Sequence, residues 1–385
     1  MKTKKILLCL GSYLPGTKSA GVITSVVNMC KYLKPDIEFY ILTADRDIGE
    51  DKPYENVPLE QWTKYEGTNI YYSQKYLTSL PYLQKIMISQ NFDAYYLNGF
   101  YNISDNFRPM LLYWLKIIPQ KPLIIAPRGI FSLGEYDNKL FLRKIYRYLF
   151  KISGLNKKVV WSATGGLERE HIIQRFPNAN VVELQDLTSL QISQHPVNIN
   201  KVTGEIKILF ISRISEKKNI KFILKTLSRV KGVVTMDFYG MIGTAADKKY
   251  WEECLEIIET LPENVKCNYC GTIDRNVVKE TFESHHLFFF PTFGENFGHV
   301  IAESLAYGCP LLLSDQTPWN MLEDYGAGWN IPLKEPGQYV KHLQQVIDMS
   351  QEQWNKMSES ALRVAQDFIE RDVLINKYND FFASL

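Results

Sequence analysis

Two carboxylates eight positions apart, Glu295 and Glu303, are the first residues whose spacing suggests chemistry. They lie in Phe290-Pro-Thr-Phe-Gly294-Glu295-Asn-Phe-Gly298-His-Val-Ile-Ala-Glu303-Ser-Leu-Ala-Tyr-Gly308-Cys-Pro310. An apolar run ends at Pro291, a glycine-flanked turn carries Glu295, and the apolar spacing predicts a helix from about Phe297 to Tyr307. Eight positions make two turns and a fraction, so the two acids need not share a face, yet they can meet different ends of one long ligand. Free N–H groups of Asn296, Phe297 and Gly298 would face an anion or sugar hydroxyls at the helix start. Glu303 is flanked by apolar Ile301, Ala302 and Leu305. A partly buried carboxylate there needs hydrogen-bond donors, which ribose hydroxyls would supply. Glu295 taken alone also reads as an acid that complements the helix dipole.

A second loop, Phe210-Ile-Ser-Arg213-Ile-Ser-Glu-Lys217-Lys218-Asn219, follows an apolar run and opens a helical pattern. Arg213 falls just past the strand end. Lys218 falls at a helix start, where a cation opposes the dipole; a bound diphosphate would remove that conflict. Each cation–oxyanion contact near 4 Å is worth on the order of 4 kcal/mol at an effective dielectric of about 20, before desolvation. A solvated charged turn is the alternative. A third loop, Gly11-Ser-Tyr-Leu-Pro-Gly16-Thr-Lys-Ser-Ala-Gly21, precedes the first helical pattern, whose start would present N–H groups to an anion. Its spacing is not that of a dinucleotide fingerprint, and a merely flexible loop is the alternative.

The elements that must position these loops alternate along the chain. Predicted strands in the first half are Ile6–Leu10, Phe39–Thr43, Ile70–Tyr72, Ala94–Leu97, Leu123–Ala126, Val159–Ser162 and Val181–Leu184. Helical patterns such as Val22–Leu33, Leu80–Ser89 and Leu140–Ile152 lie between them, the signature of parallel strands with crossover helices. Residues 191–205 are polar and aperiodic and read as a linker. A second series follows: Ile206–Ser212, Val233–Tyr239, Val265–Cys270, Leu287–Pro291, Leu311–Ser314 and Trp329–Pro332, then helices over 336–349, 351–367 and 370–384. The expected fold class is α/β: two tandem Rossmann-like, doubly wound domains, residues 1–190 and 206–369, facing a cleft at the carboxyl ends of their strands.

The length of 385 residues exceeds what one core supports. A net charge of +2, from 44 basic and 42 acidic side chains, gives no footprint for nucleic acid. The six cysteines are scattered, and the lone pair Cys267 and Cys270 would point to opposite faces of a strand, so no metal is expected there. His285 and His286, adjacent before a strand, diverge for the same reason. The opening apolar run Ile6–Leu10 is too short for a secretory signal, and no stretch reaches membrane-spanning length. A cytoplasmic protein is the expectation.

The Glu295-x7-Glu303 segment within Pro-Thr-x-Gly-Glu-x-Phe-Gly resembles the signature of family 4 glycosyltransferases, which are retaining enzymes of the GT-B fold. Arg213-x4-Lys218 resembles the pair that holds the donor diphosphate in that family, and Ala20-Gly21 resembles its N-terminal glycine loop. The resemblance runs through nearly the whole chain in order. It implies that Arg213, Lys218 and Glu295 are catalytic, and that Gly21, Asn296, Phe297, Gly298 and Glu303 bind the donor. Glu295 would contact hydroxyls of the transferred sugar and Glu303 the ribose. The last helix, 370–385, would cross back onto the first domain, which would be the acceptor side, while the second would bind the nucleotide-sugar. The implied reaction transfers a sugar, with retention, from a UDP-sugar or a GDP-sugar to a saccharide hydroxyl. It would need no metal and no cofactor, since the cationic pair replaces a metal. Lipid-linked acceptors of bacterial surface polysaccharide, O-antigen or capsule, are the implied pathway. A sugar-nucleotide epimerase and a non-catalytic nucleotide-sugar binding module share the two-lobed plan.

One position departs from the family. Many members carry His-Gly after a first-domain strand, and this chain has Pro127-Arg128-Gly129, similar to a subset of polysaccharide-assembly members. Arg128 is permanently charged and cannot serve as a base; contact with phosphate or acceptor and a structural salt bridge are equal alternatives. Trp319, in the loop Asp315-Gln-Thr-Pro318-Trp319, serves either to stack on a sugar or to pack. Within the segment 139–158, Leu140 to Lys158 holds Arg143, Lys144, Arg147, Lys151, Lys157 and Lys158 and no acid. Its apolar stripe of Phe141, Ile145, Tyr148, Leu149 and Ile152 suits either a core-facing helix or peripheral contact with the inner face of a membrane.

Overall fold

The computed structural model describes residues 3–16, 20–47, 49–132, 140–195 and 199–385. Residues 17–19 of the glycine-bearing loop, 139 of the basic segment and 196–198 of the expected linker lie outside the described residues. The chain divides into two units, Met1–Ser189 with Arg371–Leu385, and Leu190–Glu370.

The first unit is built on eight strands: β1 (Lys4–Leu10), β2 (Ile37–Thr43), β3 (Trp62–Tyr65), β4 (Thr68–Tyr72), β5 (Ala94–Asn98), β6 (Leu123–Ala126), β7 (Val159–Ala163) and β8 (Asn180–Glu183). Their order is β3-β4-β2-β1-β5-β6-β7-β8, and every pairing is parallel except β3 with β4. Alternate side chains of β1 enter two different cores. Leu7 and Cys9 pack on one face, and Ile6, Leu8 and Leu10 on the other. Apolar cover on both faces explains why the strand reads as a continuous apolar run. The helix Arg371–Ala383 returns to this unit. Its Phe382 ring lies 5.8 Å from Phe39, Tyr378 donates to the Leu184 carbonyl at 3.3 Å, and Arg371 donates to the Thr188 carbonyl at 3.1 Å.

β3 is absent from the strand runs predicted above. It is a half-exposed edge strand in a hairpin whose two turn residues, Glu66 and Gly67, have φ of 47° and 74°. Such a turn matches the twist of its strands, so local geometry makes this strand without an alternating apolar pattern.

The second unit carries β9 (Glu205–Ile211), β10 (Val233–Tyr239), β11 (Val265–Tyr269), β12 (Leu287–Phe290), β13 (Leu311–Ser314) and β14 (Gly328–Ile331) in the order β11-β10-β9-β12-β13-β14, all parallel. The order reverses between β9 and β12, and such a switch point opens a crevice at the strands' carboxyl ends. The stretch 191–205, expected as a linker, is part of this unit. Leu190, Ile192 and Ile199 pack on its core, the Ser193 N–H donates to the Ala306 carbonyl at 2.8 Å, and buried Lys201 donates to the Ile347 carbonyl at 2.8 Å. Irregular backbone docked by single apolar residues has no period to read.

Candidate active site

The site of the second unit is assembled by loops that leave neighbouring strands at the switch point. After β9, Ser212 and Ile214 donate to the Tyr239 and Met241 carbonyls at 3.0 Å each, and fully buried Ile214 anchors the loop. Arg213 between them is exposed and forms no ion pair among the described residues. A short 3-10 turn, Glu216–Lys218, follows, and Asn219 closes it with φ of 58° before the helix Ile220–Leu227. Asparagine tolerates this left-handed conformation, and its side chain then donates to the Pro291 carbonyl at 3.0 Å.

The loop after β12 is tied to that turn. Phe293 N–H and the Thr292 hydroxyl both donate to the Lys217 carbonyl, at 2.9 and 3.1 Å. The loop after β13 adds a third tie, since the Glu295 N–H donates to the Gln316 carbonyl at 2.9 Å. Sequence reading did not single out Asn219, Thr292 or Gln316. Only the left-handed preference of asparagine before a helix offered a signal.

These ties bring Lys218 and Glu295 together, 77 positions apart in sequence, with Nζ 2.5 Å from Oε2. Lys218 also lies 4.9 Å from the centroid of the Phe290 ring. Burial pushes the Glu295 carboxyl up, but the charge and hydrogen bond of Lys218, the charge of Lys217 and the Asn296 N–H together hold it below its ordinary value. Glu295 is therefore held as a carboxylate against the Lys218 side chain. Lysine has three donors and one is engaged here, so two remain for an incoming anion.

The helix begins later than expected, at His299, and ends at Ala306. Gly298 breaks the regular backbone with φ of 77°. A Cβ at Gly298 would stand 2.7 Å from Ile301 Cδ1 and 3.0 Å from Glu295 Cγ, so glycine is required both for conformation and for space. The expected free N–H of Asn296 is instead directed at Oε1 of Glu295 at 3.3 Å. Those of Phe297 and Gly298 make no hydrogen bond among the described residues. Phe297 has a buried side chain, and its carbonyl accepts the Trp319 indole N–H at 2.6 Å. Trp319 is 3% exposed. Stacking on a sugar is thus closed to it; it packs against Phe297 and fixes the loop before the helix.

Glu303 sits on the second turn of this helix, partly buried, and its carboxylate accepts no hydrogen bond among the described residues. Burial pushes its carboxyl up to about 7, against a smaller opposing pull from Arg275. The fold protonates this group below about pH 7, the unfolded chain only below the ordinary 4.5, so stability is lost as pH rises from 4.5 to 7. We expect Glu303→Gln to flatten the decline of the urea midpoint across that window, read by tryptophan fluorescence. A variant that keeps the full decline would remove the assignment.

Gly21 and Arg128 belong to the first unit. Gly21 is the second residue of the helix Ala20–Tyr32, and an added Cβ would meet nothing within 4 Å. Arg128, placed above as a contact for phosphate or acceptor, is instead enclosed. Its guanidinium is 8% exposed and pairs with Asp186, itself 5% exposed; Nε donates to Asn98 Oδ1 at 2.8 Å. Asp186 also accepts from the Ser25 hydroxyl at 2.8 Å. The salt-bridge alternative is the one realised, because the segment just after β8, which pairs with β7 as β7 pairs with β6, carries Asp186, an acid that no local pattern announces.

Of the histidine pair, His285 meets a carboxylate: its Nε2 lies 3.0 Å from Asp237 Oδ2 on β10. His286 Nδ1 accepts from the Lys207 N–H at 2.9 Å. Among the described residues no cluster of His, Cys, Asp and Glu has a metal-binding arrangement, and no helix is long and apolar enough to cross a membrane.

Residues 191–364 match the family model described as glycosyl transferases group 1. Over the whole chain the fold is similar to sucrose-phosphate synthase from Thermosynechococcus elongatus, at TM-score 0.70, 11% identity, and coverage of 99% of this chain and 100% of that one. It is similar at TM-score 0.68 and 14% identity to Anabaena Alr3699/HepE in complex with UDP and glucose, with coverage of 99% and 100%. A mutant of S. aureus TarM in complex with Fondaparinux, alpha-GlcNAc-glycerol and UDP is similar at TM-score 0.69 and 11% identity, with coverage of 99% and 100%. Comparison with curated proteins gives no match. The switch-point loops that carry the Lys218–Glu295 pair thus lie inside the stretch 191–364 that matches the glycosyl transferases group 1 model, and the chain as a whole shares the two-sheet α/β fold of the solved structures named above.

Proposed function

We propose that the chain transfers a sugar from a nucleotide-diphosphate donor to a saccharide hydroxyl, with retention at the anomeric carbon. A UDP-sugar is the favoured donor, because two of the similar structures above hold UDP. The observation that carries the reading is the partly buried pairing of Lys218 with Glu295 at the switch point of the second sheet. Lys218 and exposed Arg213 supply positive charge where the departing diphosphate accumulates negative charge, which is electrostatic catalysis without a metal. Glu295, held ionised, accepts hydrogen bonds from hydroxyls of the transferred sugar, and the Phe297 and Gly298 N–H groups complete that cradle. Glu303 accepts from ribose hydroxyls. Gly21 leaves open space at its helix start for close approach of the donor. The leaving phosphate takes the proton of the acceptor hydroxyl. The acceptor is a lipid-linked oligosaccharide of bacterial surface polysaccharide assembly, met by a peripheral enzyme on the inner face of the membrane.

The test is nucleotide release across UDP- and GDP-sugars, with and without saccharide acceptors, in the presence of chelator. Acceptor-dependent UDP release that survives the chelator is the expected result. We expect Glu295→Gln to lower kcat/KM by on the order of 100-fold, as for loss of one preorganised polar contact in a transition state. Conversion of the donor sugar without any acceptor would identify an epimerase instead, and tight donor binding without turnover a binding module.

A further inference from the structure

The apolar stripe of the helix Leu140–Ile152 does not face the core. Phe141, Leu142, Ile145, Tyr148, Leu149 and Ile152 are between 41% and 73% exposed. Phe150 is the side chain turned inward, 4% exposed and packed on Phe100, Trp161 and Phe176. A second segment of the same unit adds Ile103, Phe107, Trp114, Leu115 and Ile117, exposed by 40% to 64%. Eleven of the twenty exposed large apolar side chains among the described residues therefore fall in two short segments. The segments adjoin: the Phe107 and Tyr146 rings are 5.9 Å apart, and the Trp114 indole donates to the Ser153 carbonyl at 3.1 Å. A patch of this kind is not the scatter of single apolar residues normal for a surface.

Between them runs a groove of about 380 Å³, walled by Phe107, Met110, Leu111, Trp114, Leu149 and Ile152. The Tyr146 hydroxyl, on a residue that also lines the groove, has no hydrogen-bond partner among the described residues. Cations border the apolar face. Lys144, Lys157 and Lys158 are exposed; Arg143 stacks 4.5 Å from the centroid of the Tyr101 ring, and Arg147 donates to the Tyr101 hydroxyl. Residues 140–158 contain no acid, and Asp105, the acid within 103–121, is buried. A second copy of the chain would bring like charges against these cations, which disfavours self-association through this face. An apolar chain with an anionic head satisfies both the groove and its border.

We propose that this face of the first unit docks on a bilayer containing anionic phospholipid, with one acyl chain seated in the groove between the helices Arg108–Trp114 and Leu140–Ile152. The proposal deepens the lipid-linked acceptor reading and rests on it for the reason that the enzyme meets a membrane. Co-sedimentation of the full chain with phosphatidylcholine vesicles, with and without phosphatidylglycerol, tests it. Binding requires phosphatidylglycerol. The triple variant Lys144→Gln, Lys157→Gln, Lys158→Gln weakens partition by on the order of 100-fold, and Leu149→Asp with Ile152→Asp removes it. Lipid brominated along its acyl chains quenches the part of the emission that Trp114→Phe abolishes. These sites are exposed, so transfer to a water-soluble acceptor stays unchanged in all the variants and reports an intact fold. Equal binding to neutral vesicles, partition insensitive to the variants, unquenched Trp114, or self-association through the same residues without vesicle binding would each overturn the docking. Loss of transfer to the soluble acceptor in wild type, with docking intact, would instead count against the transferase reading above.

Discussion

Lys218→Ala is expected to lower kcat by on the order of 1,000-fold, with a smaller change in KM for the donor. The ammonium sits where the loop after β9 meets the loop after β12, on the crevice side of the switch point. Its charge matters most when the bond to the sugar breaks and the diphosphate becomes more negative. An interaction stronger in the transition state than in the ground state appears in kcat. The substitution has a second consequence. Burial acts on the Glu295 carboxyl more strongly than any other influence, and Lys218 leads the groups that oppose it. Without Lys218 the carboxyl is pushed up and loses the partner that holds it in place. The two residues therefore act as a unit, and the double variant Lys218→Ala with Glu295→Gln should be scarcely slower than Lys218→Ala alone. Steady-state kinetics with an intact far-ultraviolet dichroism spectrum checks both claims. Turnover near wild type in the single variant, or multiplied losses in the double, would exclude this coupling.

Arg128→Met is expected to destabilise the first unit by about 3–5 kcal/mol while leaving the chemistry of the second unit's site intact. Methionine keeps much of the aliphatic stem but strands Asp186, 5% exposed, and the Asn98 side-chain oxygen without their cation. Burial disfavours the charged guanidinium, and Asp186, with smaller contributions from Tyr96, Tyr378 and Glu168, outweighs that cost. Adding Asp186→Asn to Arg128→Met removes the uncompensated charge and should recover part of the loss. Urea unfolding, followed by a probe in each unit because two units need not melt together, measures it. A variant that keeps its stability but shows a raised acceptor KM would return Arg128 to the binding surface.

The Arg128 result illustrates how far local reading extends. Its permanent charge and its place after a strand were visible in Pro127-Arg128-Gly129. Its partner, 58 positions away, was not, because the sheet order that sets β8 beside β7 and β7 beside β6 is a property of the folded unit. Trp319 follows the same logic. Sequence left stacking and packing both open, and the Phe297 carbonyl takes its indole N–H. His285 likewise found Asp237 only across the sheet.

The sequence by itself determined the α/β class and nearly every strand, because strands buried on both faces appear as continuous apolar runs and the helices between them keep their own period. It also determined which loops carry chemistry, since a glycine-flanked acid before a helix and a cationic turn after a strand are local signatures. The edge strand Trp62–Tyr65, the docking of 191–205, and the outward turn of the apolar stripe on Leu140–Ile152 were decided by tertiary structure. So was the pairing of Lys218 with Glu295. Each depends on which distant surface a segment meets, and periodicity within a segment records only its own faces, not their partners.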